Sequence, residues 1–221
     1  MPAKRSAKPT GTPRARIIDA YWRHRLIEGR PPHSVFAFCE SIGIGEETFH
    51  AEFSGFAAIE SAWWTDLATT TISTLEQDSD YGAYDARQRL LAFHYTLVAT
   101  AQPCRSRLTE SLPPPGPGLP AALRPLHTAT RPFFEALVRQ GIADKLIADR
   151  GKLSDLYPRA LWEQLRWILD YHRRDTSAKF EDTDAFIEKS VRLFFDAAGT
   201  GVVESALDLA RFLARHLPKA P

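Results

Sequence analysis

Glu47 and His50 stand three residues apart, the spacing at which a carboxylate and an imidazole share one helix face and can hold a metal ion. A di-iron helical bundle needs a second such pair on another helix, and the 221-residue chain offers none. His94 and His172 sit within apolar runs, where each is a candidate polar anchor for an apolar pocket or simply a partly buried histidine. Cys39 and Cys104 are too few for a disulfide framework and lack metal-ligand spacing, so both are expected to be reduced. The chain carries no HExxH, no GxSxG and no phosphate-cradling glycine loop. The expectation is therefore no enzyme, no metal and no cofactor.

The elements that must position these residues read as helices throughout. Residues 1–13 hold Lys4, Arg5 and Lys8 with three prolines, and are expected to form a flexible basic arm. From Arg14, the residues Ile17, Ile18, Tyr21, Trp22 and Leu26 recur at helical steps until Gly29. Ser34 is placed to cap a short helix over Val35–Ser41 that Gly43 ends, and a second short helix spans Glu46–Glu52. Longer helices are expected over 54–77, 83–109, 128–145, 153–176, 182–198 and 202–217, with Ser111–Gly118 (SLPPPGPG) as a surface loop. No alternating segment appears. The prediction is an all-α fold of about nine helices.

Charge is balanced overall and uneven locally. With 28 Lys+Arg against 27 Asp+Glu, the formal net charge is +1, which excludes a uniformly basic nucleic-acid coat. Residues 1–30 contain eight Lys/Arg and two acids, a charge of +6, whereas 31–60 contain five glutamates and no Lys or Arg, a charge of −5. No apolar run is long enough to span a membrane, and no export signal opens the chain, so a cytoplasmic protein is expected.

A helix, a short turn and a second helix within 34–52, preceded by one longer helix, have the arrangement of a helix-turn-helix DNA reader. Over Gly29–Phe56 the sequence resembles the TetR family of transcriptional regulators. Gly29 matches the close of the first helix, Ser34-Val35 the start of the second, and Phe38 and Ile42 its core positions. Gly43-Ile44 matches the turn, Thr48-Phe49 the middle of the recognition helix, and Phe53 the aromatic after it. The departures are also local. Gly45 replaces the opening serine, His50-Ala51-Glu52 replaces the usual aromatic pattern, Phe56 replaces a phosphate-touching lysine, and Phe36 takes a place that is usually polar.

The resemblance implies a helix-turn-helix domain over 14–56, a ligand-binding and dimerisation domain over 57–221, and a homodimer that binds duplex DNA and a hydrophobic small molecule. The expected DNA face is Ser34, Gly45, Glu46, Thr48 and His50, with Arg14, Arg16 and the arm on phosphates. Glu46 and Glu47 also complement a helix macrodipole, and together with Glu52 they oppose DNA binding. The aromatic groups expected to surround a pocket are Trp63 or Trp64, Phe93, His94, Phe134, Trp162, Trp167 and Tyr171, although stripes of this kind also build plain core. The expected dimer interface uses Phe186, Val191 and Phe194 on one helix and Val203, Leu207 and Leu213 on the next. The acidic segment and the two phenylalanines fit an alternative: a TetR-fold protein that has lost DNA binding and binds a lipid, an isoprenoid or a protein partner.

Overall fold

The computed structural model describes residues 12–199, and these form nine α-helices with no strand among them. The arm residues Lys4, Arg5 and Lys8, the helix expected over 202–217, and with it Val203, Leu207 and Leu213, lie outside the described residues.

The first three helices follow from local signals. In α1 (Pro13–Glu28), the Thr12 side chain accepts a hydrogen bond from the Ala15 N–H and Pro13 occupies the first turn, so the helix starts one residue earlier than expected. Gly29 ends it at φ 65°, a left-handed conformation that costs glycine nothing. In α2 (Val35–Ile42), the Ser34 Oγ accepts from the Ala37 N–H at 3.1 Å. Gly43, at φ 66°, turns the chain while its own N–H and that of Ile44 satisfy the carbonyls of Glu40 and Cys39. After this turn α3 (Glu46–Glu52) opens with Glu46 and Glu47 in its first turn, where they complement the exposed N–H groups.

An aromatic nucleus joins these helices to the next. Phe38, Phe49 and Phe56 lie with ring centroids 5.5–6.0 Å apart, and Tyr21 stacks on Phe56 at 5.4 Å. Edge-to-face pairs of this kind contribute roughly 0.5–1.5 kcal/mol each beyond their burial. Phe56 is the first residue of α4 (Phe56–Glu76), so the long helix begins inside this nucleus and continues into the bundle through the buried Trp63, Trp64, Leu67 and Leu75.

The bundle is completed by α5 (Ala86–Ala101), α6 (Arg105–Ser111), α7 (Arg124–Ala143), α8 (Tyr157–Arg174) and α9 (Glu181–Ala198). The single helix expected over 83–109 is two helices. Pro103 lacks an N–H and its ring opposes helix continuation, and a 3-10 turn over Gln102–Cys104 separates α5 from α6. In α7 the helix starts four residues before the expected Thr128 and continues through Pro132. The segment Gly151–Leu156 forms a 3-10 turn, and α8 starts only at Tyr157. Packing runs α4 against α5 and α7, α5 against α8 and α9, and α8 against α7 and α9, while α1 rests on α3, α4 and α6.

Candidate functional site

The exposed side of α3 consists of Glu46, Glu47, His50, Ala51 and Glu52, with Thr48 half-buried and Gly45 exposed at its start. Ser34 is half-buried and committed to its cap. The two described cations nearest this surface are engaged within the chain. The Arg14 guanidinium lies 4.7 Å over the Phe53 ring and 3.9 Å from the Asp66 carboxylate, and Arg16 donates to the Ile42 carbonyl at 3.4 Å. Phe36 is 63% exposed, whereas Phe56 is half-buried and packs against the aromatic nucleus. No group of three or more His, Cys, Asp or Glu residues able to hold a metal occurs among the described residues.

The aromatic residues expected around one pocket divide among three places. Trp64, Phe93 and His94 are fully buried, and they line neither of the two grooves described below. Phe93 stacks on Phe133 at 4.5 Å and meets Phe134 edge-on at 5.4 Å, filling the space between α5 and α7. Neither His94 ring nitrogen has a well-aligned hydrogen bond, although the Gln164 amide lies beside it. Burial pushes the imidazole down to about 3, with Gln164 acting weakly in the opposite direction, so the ring is neutral at physiological pH. These three residues are packed within the core of the bundle and line neither groove.

Open space flanks α8 instead. The first groove, of about 750 Å³ between α7 and α8, contains Phe134, Trp162 and His127, whose ring meets Trp162 edge-on at 4.8 Å. Its rim carries Arg131, Arg139, Arg159 and Asp155, of which only Arg131 forms an ion pair among the described residues, with Glu135 at 2.7 Å. The second groove, of about 590 Å³, lies between the segment after α6, the outer face of α8, and α9. Trp167, 68% exposed, and Tyr171 contribute to it, and Tyr171 stacks on Phe186 with 4.6 Å between centroids and 1° between planes. Single-residue reading missed His127 and Leu112–Pro115; the proline run was visible only as a surface loop.

The residues expected at a dimer interface also turn partly inward. Val191 is 1% exposed within the single chain, because it lies on the stripe Thr183, Ile187, Val191, Phe195 by which α9 packs against α5 and α8. Its assignment to an interface between copies is corrected accordingly. Phe186 is held by Tyr171, and Phe194 meets Tyr157 edge-on at 6.2 Å. Leu193, 69% exposed, is the large apolar residue that α9 turns outward.

Short α6 ties the two ends of the molecule together. Toward α1, Glu110 pairs with Arg25 at 2.9 Å and Arg107 with Asp19 at 3.1 Å, while Tyr21 donates to Glu60. Burial, and then that bond to Glu60, raises the Tyr21 phenol, which stays protonated. Toward α8, Arg105 donates to the carbonyls of His172, Arg173 and Asp175 at 2.7–3.0 Å and covers the Phe180 ring. At the same corner, burial tends to raise the Asp175 carboxyl, but hydrogen bonds from Ser177 and Thr183 outweigh it and hold the group well below the usual carboxylate range. Burial and the adjacent Arg105 lower the His172 imidazole, with Asp175 opposing.

Residues 89–213 match the family model described as tetracyclin repressor-like, C-terminal domain. That match spans more than half of the chain, and the protein belongs to this family. The match leaves α1–α4 outside it. No curated protein matches the chain in sequence. A solved structure of a protein with unknown function from Rhodococcus sp. RHA1 is similar, with a TM-score of 0.57 at 15% identity, covering 88% of this chain and 100% of that one. At this identity the likeness concerns the fold alone. No helix among the described residues is long and apolar enough to cross a membrane.

Proposed function

We propose that the protein is a TetR-like transcriptional regulator of the cytoplasm: a homodimer that binds duplex DNA through α2 and α3 and responds to a hydrophobic small molecule. The observation that carries this reading is the arrangement of α2 and α3 across the Gly43–Gly45 turn, in a chain whose residues 89–213 match a tetracyclin repressor-like domain. Ser34, Gly45, Thr48 and His50 are the proposed DNA face, with Glu46 at the base edges. Affinity then rests on cations at its border, Arg14, Arg16 and the basic arm, because α3 itself repels phosphate. A ligand acts by binding one arrangement of the dimer better than another, and only that difference in affinity shifts the population.

The acidic exposed side of α3 favours one second reading, a TetR-fold protein without DNA binding whose ligand or protein partner is its whole function. A titration with duplex from the gene's own upstream region over a salt series separates the two. Log affinity that falls steeply with log salt supports the regulator; absence of binding at low salt supports the second reading.

A further inference from the structure

We propose that the second groove, between the segment after α6, α8 and α9, is the effector site, and that it takes an uncharged, flat aromatic molecule. The proposal deepens the function above by placing the effector, and it rests on the ligand-responsive reading only for what binding does, not for binding itself.

Four observations carry it. Trp64, Phe93 and His94 are buried and line neither groove, so a ligand that reached them would have to enter the packed core. The groove's volume, about 590 Å³, lies within the range of small-molecule sites, and its walls are Leu112, Pro113, Pro115, Trp167, Tyr171 and Phe186. The Trp167 ring is 68% exposed, an apolar face left uncovered beside the parallel Tyr171–Phe186 stack. A flat ring entering beside these groups buries aromatic area on both partners and can pack edge-on or offset-stacked against the indole.

The charged side chains lining this groove, Glu163, Arg166, Asp170 and Arg174, sum to no net charge and each is already in an ion pair, which favours an uncharged ligand. Arg166 pairs with Glu163 at 2.9 Å, and Asp170 pairs with Arg173 and Arg174. An anionic or cationic ligand would have to compete with these pairs for its partner. The first groove is different: Arg139, Arg159 and Asp155 form no ion pair among the described residues.

The wall is also fixed in place. Arg166 donates to the Gly116 and Gly118 carbonyls at 3.0 Å, Arg173 donates to the Leu112 carbonyl at 3.0 Å, and prolines restrict the chain between these anchors. A wall held in this way loses little freedom when a ligand arrives. Leu112 directly follows α6, whose Glu110 and Arg107 are paired to α1. A ring pressing on Leu112–Pro115 therefore acts on the helix that touches the N-terminal cluster.

The test uses the full chain and the neutral fluorophore N-phenyl-1-naphthylamine, with its sulfonated analogue 1-anilinonaphthalene-8-sulfonate as the charged comparison. Saturable binding of the neutral probe, weakened roughly tenfold by Trp167→Ala and changed by less than about twofold by His127→Ala in the first groove, is the expected result. Equal affinity in Trp167→Ala, loss in His127→Ala, tighter binding of the sulfonate at the Trp167 site, or no saturable binding overturns the proposal. Sedimentation of the wild type and of Trp167→Ala covers the other occupant. If the substitution splits a dimer and the wild type binds no probe, a second copy of the chain fills the groove and the proposal fails. Probe binding that leaves the DNA titration unchanged overturns the groove's role as the effector site, whereas absence of DNA binding at low salt counts against the regulator, so the two failures are distinct.

Discussion

Arg25 of α1 and Glu110 of α6 meet at 2.9 Å, with Glu60 of α4 4.0 Å from the same guanidinium. Three helices thus converge on one cation, and the N-terminal cluster is fastened to the bundle electrostatically as well as by packing.

Replacing this carboxylate with an amide isolates the electrostatic part. Glu110→Gln is expected to cost less than about 1 kcal/mol, because the pair is partly solvated, and so to lower Tm by only about 2–4 °C. Amide exchange in α1 is expected to quicken more than exchange in α8. Uniform quickening in both helices would show that the pair stabilises the molecule without fastening one part to another.

The glutamates of α3 give a second expectation. If α3 faces a duplex, Glu46→Lys adds a phosphate contact, raises affinity and steepens the slope of log affinity against log salt by about 1. Fluorescence anisotropy with labelled duplex checks this. An unchanged slope would place α3 away from the DNA.

The α2–α3 region was legible because its signals are local. Ser34 caps, Gly43 turns left-handed and the first-turn glutamates open the next helix, each within a few residues of what it controls. The interruption at Pro103 was hidden because the apolar pattern continues on both sides of it, from Leu97 to Leu108, as though one helix carried it. Residues such as Val191 show the other limit. An apolar stripe announces that a face is covered, but which neighbour covers it depends on how α5, α8 and α9 assemble. That Trp64, Phe93 and His94 pack inward and line neither groove was hidden for the same reason. Large rings at helical spacing can enclose a space or fill it, and only their mutual packing decides.

His94 makes stability depend on pH. Its folded-state value of about 3 lies below the ordinary 6.5, so between those values the unfolded chain binds the proton that the native state refuses. Stability is therefore complete above pH 6.5 and declines as pH falls toward 3. Urea unfolding midpoints across this range are expected to fall with pH, and His94→Leu is expected to flatten the decline. His127 and His172, also lowered by burial, leave part of it in place. An identical pH profile in the variant would refute the assignment.

Two tryptophans separate core from surface. Trp64→Ala removes a ring that is 1% exposed and is expected to destabilise the fold by about 3–5 kcal/mol. Trp167→Ala removes one that is 68% exposed and is expected to change stability by about 0.5 kcal/mol or less. Chemical denaturation of both variants measures the contrast, and comparable losses would mean that Trp167 is covered in solution.

The ring of Phe56 has a mechanical consequence. Because it sits inside the aromatic nucleus with Tyr21, Phe38 and Phe49, the 21-residue α4 is embedded at one end among the first three helices and at the other, through Leu75, in the bundle. A rod of that many residues is about 31 Å long, and tilting it by about 5° swings its end by nearly 3 Å. The N-terminal helices cannot pivot freely at a loop, since no loop separates their core from α4. They are carried on the end of this rod, so a tilt of α4 moves them with it.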